Sequence, residues 1–320
     1  MFKRILVPLD ESELAEQALP VASRVARVAK STIELLEVVP PPTEFGPYWG
    51  EPPLLVQRAI DTDLTIAADY IARVAERDTL AGVEVETRTD LGWPAWTILT
   101  VAKEDESDLI IMTSHGRTGL SRWFLGSVAE KVIRHAHIPV LLLRDQPLRE
   151  VFDEKHPLRV LIPLDGSPAS EAVLEPALQL IAALSPQTPA MLRLIHVLRP
   201  HSSIEKQEQQ TLRASDYLET VAQRLQQATT QGPRPVVVWS LPSDEDVADA
   251  LLRDLETVVA SDEMDQLVPY DLLMIATHGW GGFPPWGLGS VTERVLHGCR
   301  LPMLVVRSPE QERVSQDSLT

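Results

Sequence analysis

The 320-residue chain is 44% apolar and 23% charged, an ordinary globular composition that excludes wholesale disorder and fibrous repeats, and its length suits two domains of ~100–150 residues. Its 29 basic and 46 acidic residues leave a net charge of −17, so the surface as a whole repels nucleic acid and anionic lipid, and a polyanionic ligand has to be held by local features. A single cysteine, Cys299, offers no material for an intramolecular disulfide or a Cys-ligated metal site.

No apolar run approaches the ~18–20 residues that a membrane helix needs, and the stretch from Met1 reaches Asp10 too soon to hold a signal-peptide core. The expected location is cytoplasmic, with neither membrane nor nucleic acid as a partner. In chain order, the first predicted strand is Arg4–Leu9, ending in the turn Pro8-Leu9-Asp10 with Glu11 and Ser12. The helix Ala15–Ala29 follows, with Ala15, Ala18, Leu19, Ala22, Val25, Ala26 and Ala29 on one stripe. Then come a strand at Thr32–Val39 and a loop at Pro40–Pro53, whose six prolines exclude helix and central strand. Further strands are expected at Val83–Thr89, Leu109–Thr113 and Pro139–Leu143. Short, continuously apolar strands alternating with helical segments predict a parallel sheet covered on both faces.

After the charged segment Asp145–Leu158 the pattern begins again. Arg4-Ile5-Leu6-Val7-Pro8-Leu9-Asp10 recurs as Arg159-Val160-Leu161-Ile162-Pro163-Leu164-Asp165, an offset of 155. Asp108–Gly116 recurs as Asp271–Gly279 at an offset of 163, so the second copy has gained eight residues. The larger offset holds through Gly126-Ser127 and Gly289-Ser290 and on to the closing strand Pro302–Val306. A period this long means two whole domains, not a solenoid. The predicted boundaries are residues 1–146 and 158–310, with a linker at 147–157 and a tail at 311–320. In the second copy Ile204, Leu212, Leu218, Val221 and Leu225 predict a Gln-rich helix over Ile204–Ala228, its Gln face solvated.

Ligands of open parallel sheets lie beyond the carboxyl ends of the strands, where strand order reverses. Asp10 and Asp165 follow the first strand of each copy, either as helix N-caps or as ligand contacts. The loops from Thr113 through Gly116 to Gly126-Ser127, and from Ala276 through Gly279 to Gly289-Ser290, each open a helix. Free N–H groups there suit phosphate oxygens. Yet Ser127-Val128-Ala129-Glu130 and Ser290-Val291-Thr292-Glu293 also fit a capping box that would satisfy those groups internally. His115 and His278 lack companions at metal-ligand spacing and read as hydrogen-bonding loop residues. Trp93, Trp96, Trp123 and Trp286 read as core or loop anchors. The P-loop signature, a dinucleotide glycine fingerprint and a nucleophile elbow are all missing from the sequence.

The strand-Asp-x-Ser opening, the Gly-x9-Gly-Ser spacing and the closing Ile138-Pro139-Val140-Leu141-Leu142-Leu143 strand, each present twice in kind, resemble the universal stress protein family over nearly the whole chain. The resemblance implies two tandem flavodoxin-like, adenine nucleotide alpha hydrolase-like α/β domains, each a parallel five-stranded sheet with helices on both faces. It further implies binding of ATP or another adenine nucleotide, with Mg or Mn accompanying the phosphates, and a regulatory role in stress response. In ATP-binding members the motif G-x2-G-x9-G-[ST] holds ribose and phosphates, while the first Asp and a Val of the second strand meet the adenine.

Carried over, the implied site comprises Pro8, Asp10, Val38, Met112, Thr113, His115, Gly116, Arg117, Gly126, Ser127 and Val128 in the first half. In the second it comprises Asp165, Val197, Ala276, Gly279, Gly289, Ser290 and Val291. Both copies depart from the motif at its first glycine, which is Thr113 or Ala276. The first loop offers Arg117 and Arg122 to phosphates, whereas Trp280–Trp286 of the second has no basic residue and two prolines. The first half is therefore expected to bind more strongly. No catalytic residue is assigned, and the rival readings are a slow ATP hydrolase or phosphotransferase and a scaffold without a ligand. Single-domain members resemble homodimers built on their final strands, which implies intramolecular pairing of the two halves here and a larger homo-oligomer.

Overall fold

The computed structural model describes residues 1–42, 53–115, 125–144, 157–228, 233–256, 259–261, 264–268, 270–278 and 287–308. The chain divides into two compact units, Met1–Asp145 and Gln146–Thr320.

In the first unit, β1 (Arg4–Leu9) pairs in parallel with β2 (Thr32–Val39) on one side and β4 (Leu109–Thr113) on the other. Outside them lie β3 (Glu84–Leu91) against β2 and β5 (Val140–Leu143) against β4, giving the order β3-β2-β1-β4-β5. Every residue of β4 and β5 is buried, as expected for parallel strands covered on both faces. The carboxylate of Asp108 accepts the backbone N–H groups of Lys3 and Arg4, at 2.5 and 3.0 Å, which pins the start of β4 to the start of β1.

The predicted helix over Ala15–Ala29 is two helices, α1 (Glu13–Glu16) and α2 (Ala18–Ala29). Pro20 accounts for the break, since it has no N–H to donate to the carbonyl of Glu16, four residues earlier. The stripe itself is buried from Ala15 through Ala26. Helices α3 (Pro53–Ala75) and α4 (Pro94–Glu104) each begin on a proline, the residue whose missing donor costs nothing at that position. Helix α5 (Ser127–His135) runs between β4 and β5.

The second unit repeats the plan. Strand β6 (Arg159–Pro163) lies between β7 (Met191–Ile195) and β11 (Leu272–Ala276), with β8 (Val236–Ser240) and β12 (Met303–Val306) outside them, all parallel. Asp271 accepts the N–H of Arg159 at 2.8 Å, repeating the Asp108 anchor. The helices are α6 (Pro168–Glu171), α7 (Leu174–Leu184), α8 (Ile204–Ala228), α9 (Val247–Glu256) and α10 (Ser290–Gly298). An antiparallel pair, β9 (Val259–Ser261) with β10 (Met264–Val268), was not anticipated. It occupies the connection from α9 to β11, where the first unit passes directly from α4 to β4.

Three sequence expectations change. Ile204 and Leu212 are 78% and 65% exposed, because only the part of α8 around Leu218, Val221 and Leu225 lies on the sheet. Of the two readings for Trp93 and Trp96, core is excluded, since both are more than half exposed; Trp96 stacks at a tilt on His135, with ring centroids 5.0 Å apart. Strand β3 begins at Glu84 and runs two residues past Thr89, following the register of β2 through Val39.

Candidate functional site

Strand order reverses between β1 and β4, and again between β6 and β11, so each unit has its crevice beyond the carboxyl ends of those strands. The strand-end turns that border this crevice are built alike in both units. Asp10 accepts hydrogen bonds from the N–H and Oγ of Ser12, at 3.2 and 2.6 Å, and Ser12 in turn caps α1 by accepting from the N–H of Ala15. Asp165 likewise accepts from the N–H and Oγ of Ser167, which caps α6 through the N–H of Ser170. Neither aspartate is itself the N-cap, which corrects that reading: the serine two residues on takes the helix end, and the carboxylate orients the serine. Between them Glu11 and Gly166 occupy the left-handed region, at φ 62° and 81°. The first unit thus holds a glutamate in a conformation that favours glycine, at a cost of order 1 kcal/mol. Substituting Glu11→Gly should raise the urea midpoint of the first unit correspondingly.

The second strand-end loop returns to the sheet through a glycine. The N–H of Gly126 donates to the carbonyl of Ser114 at 2.8 Å, and that of Gly289 to Thr277 at 2.9 Å. Both glycines are N-caps, so Ser127 and Ser290 are already the first helical residues, and among the described residues no side chain caps either helix. The capping-box reading is therefore corrected. A serine at the cap could not approach the strand-end carbonyl, since a Cβ on Gly126 would lie 2.9 Å from the Ser114 oxygen. The result is a helix start whose cap residue supplies no side-chain acceptor, suited to an external anion.

In the second unit these groups border one cavity of about 530 Å³. It brings together Asp165, Val197, Ala276, Gly289, Ser290 and Val291 from the sequence-derived set. Gly279 lies outside the described residues, as do Gly116, Arg117, Arg122, Trp123 and Trp286. In the first unit Pro8 and Asp10 stand at the end of β1 and Val38 near the end of β2, while Met112 and Thr113 close β4. Gly126, Ser127 and Val128 open α5. His115 contacts the Ser114 hydroxyl through Nδ1 at 3.0 Å, and His278 contacts that of Thr277 at 3.1 Å, which fits loop-bracing histidines. Burial holds His278 below the usual imidazole range, with the charge of Arg307 adding to the effect.

Sequence reading missed three residues. Arg199 and Gln210 line the cavity of the second unit. Gln210 belongs to the Gln-rich helix α8, whose Gln face is therefore not uniformly solvated. The expectation of weaker binding in this half rested on its glycine loop alone, whereas Arg199 brings a cation to the cavity from beyond β7. The third is Glu37, which pairs in register with Leu9 and is 5% exposed, its Oε2 buried without a hydrogen-bond partner. Burial, then the charge of Asp10, pushes its carboxyl up to about 7. The repeat puts His196 at this place, held below the usual imidazole range by burial while Asp165 opposes the shift, and packed edge-on against Tyr217. A period-two count along Thr32–Val39 could have found Glu37 as a charge inside a buried strand.

The clusters behind the two aspartates also recur. Glu16 is held by Arg77 and Tyr70, and Glu171 by Arg224.

The sequence profile of the universal stress protein family matches residues 1–144 and 158–307. A universal stress protein of Methanocaldococcus jannaschii is 32% identical over 154 residues, 47% of this chain and 86% of that protein. One from Mycolicibacterium smegmatis is 26% identical over 314 residues, 95% of this chain and 96% of the relative. Among solved structures, a universal stress protein from Archaeoglobus fulgidus is similar with a TM-score of 0.65 at 20% identity, over 95% of this chain and 98% of that one. Two matching half-chains, each with the same aspartate turn and the same glycine-opened helix, make this chain a tandem member of the universal stress protein family.

Proposed function

We propose that the chain is a regulatory nucleotide-binding protein in which each half takes ATP or a related adenine nucleotide at the crevice beyond its central strands. The observation that carries this reading is the uncapped start of α10 opening onto the 530 Å³ cavity, with the Asp165 carboxylate also in its wall. A helix start favours phosphate, a carboxylate can accept from an exocyclic amino group, and the apolar wall of Ile195, Val197, Val247 and Leu251 suits a base. Mg or Mn would accompany the triphosphate and neutralise part of its charge.

Calorimetric titration with Mg-ATP tests this. Ser127→Glu and Ser290→Glu each put a carboxylate at a first helical position, where the helix dipole favours it and the fold is retained. Against phosphate the same charge is repulsive, and each substitution should remove one binding event or weaken it at least about tenfold. Heats unchanged in both variants would refute the proposal.

A further inference from the structure

We propose that Arg199 is the charge-reading residue of the second half, a cation that engages the phosphates of the bound nucleotide from the β7 side and so sets preference by phosphate number. This rests on the nucleotide reading above and deepens it. Leu198, just before Arg199, is fixed: its N–H donates to the carbonyl of Pro242 at 2.8 Å, and its own carbonyl accepts from Asp244 at 2.9 Å. With Leu198 buried and bridged to Ser243, the loop after β7 is tied to the loop after β8, and Arg199 projects from a braced position.

Its surroundings are informative. Arg199 borders both the main cavity and a side cavity of about 130 Å³, which also share Ser290 and Val291 at the start of α10. Arg294 lines that side cavity too, but it is committed to Asp246 and Asp249. Arg199 has Glu245 and Asp246 along the same small cavity, yet among the described residues its side chain forms no hydrogen bond or ion pair. In a chain carrying a net charge of −17, an exposed arginine with no partner among the described residues, bordering the same cavity as a glycine-capped helix start, is a place suited to an anion, and guanidinium binds phosphate in a charge-assisted, bidentate manner. Gln210, itself half-buried, gives a second, separate indication: its Oε1 stands in the wall of the main cavity without a partner among the described residues, an acceptor available to a ligand N–H. By strand register the first half has Pro40 where the second has Arg199, so this cation has no counterpart at that position in the first half.

The test closes the first site with Ser127→Glu and titrates the full chain with adenosine, AMP and Mg-ATP. Arg199→Ala should lower affinity for ATP at least about tenfold while leaving adenosine within about twofold, and Arg199→Lys should restore part of the loss. ATP affinity unchanged in Arg199→Ala, or adenosine weakened as much as ATP, overturns the inference. If the Ser127→Glu chain binds nothing while the unsubstituted chain binds one ATP, the inference falls and nucleotide binding by the first half stands. If the unsubstituted chain binds no nucleotide, both readings fall.

Discussion

Replacing Glu37 with glutamine should stabilise the first unit by about 1.5 kcal/mol at pH 5.5 and by about 3.5 kcal/mol at pH 8.5. The cause is a carboxyl buried on β2 behind Asp10, its Oε2 lacking a partner, with its proton held up to about 7 in the folded chain. In the unfolded chain the same group titrates near 4.3. A raised acid contributes stability that is fully present below the unfolded value and is lost as pH rises through the folded one. Glutamine cannot ionise, so its advantage grows across that window and levels off above it. The groups facing Glu37 are Asp10 from the end of β1 and Tyr70 from α3, and neither is altered by the substitution. Urea unfolding of both proteins at the two pH values, with amide exchange of β1 and β2 assigning the transition, provides the measurement. A difference that does not change with pH would mean that Glu37 finds a counter-charge in the folded state. Glu37→His, which copies His196 of the second unit, is neutral above pH 7 and should remove the deficit there as well.

Gly126→Val should destabilise the first unit by about 2–3 kcal/mol and shift the start of α5. The reason is space and not backbone freedom: Gly126 has an ordinary φ of −64°. A Cβ there would meet the carbonyl oxygen of Ser114 at 2.9 Å, and that oxygen is tied to the glycine's own N–H. The contact is with backbone, so no side-chain rotation relieves it. Either the β4 end or the helix start has to move, and nucleotide binding should weaken with it. Gly289→Val should behave alike, slightly more mildly, because Thr277 O stands at 3.0 Å. Urea midpoints and ATP titrations of the two variants check this, and an unchanged midpoint for Gly126→Val would remove the steric account of why glycine stands there.

The fold was legible in the chain because its strongest signals are local and occur twice. Arg4–Leu9, Thr32–Val39 and Leu109–Thr113 are strands at the predicted bounds, since runs of β-branched and aliphatic residues between turns have few other ways to bury themselves. The break in the first helix was equally local, and Pro20 was there to be read. Within the site, the aspartate turns and the glycine-serine helix starts stood out because they sit at fixed distances from those strands.

Other features had no local signal. Whether Ser127 capped its helix or began it depended on the distance between Gly126 and a carbonyl twelve residues earlier, which only the packed sheet end defines. Glu37, His196, Arg199 and Gln210 are unremarkable letters in their own segments. Their meaning comes from register, which sets Glu37 beside Leu9, and from the meeting of α8, α9 and the β7 loop around one cavity. By itself, the sequence determined a duplicated α/β chain of the universal stress protein family, because repetition and hydrophobic pattern act residue by residue along the chain. Tertiary structure alone decided which charges are buried and which side chains meet at the second unit's cavity, because burial and pairing are properties of segments brought together from far apart.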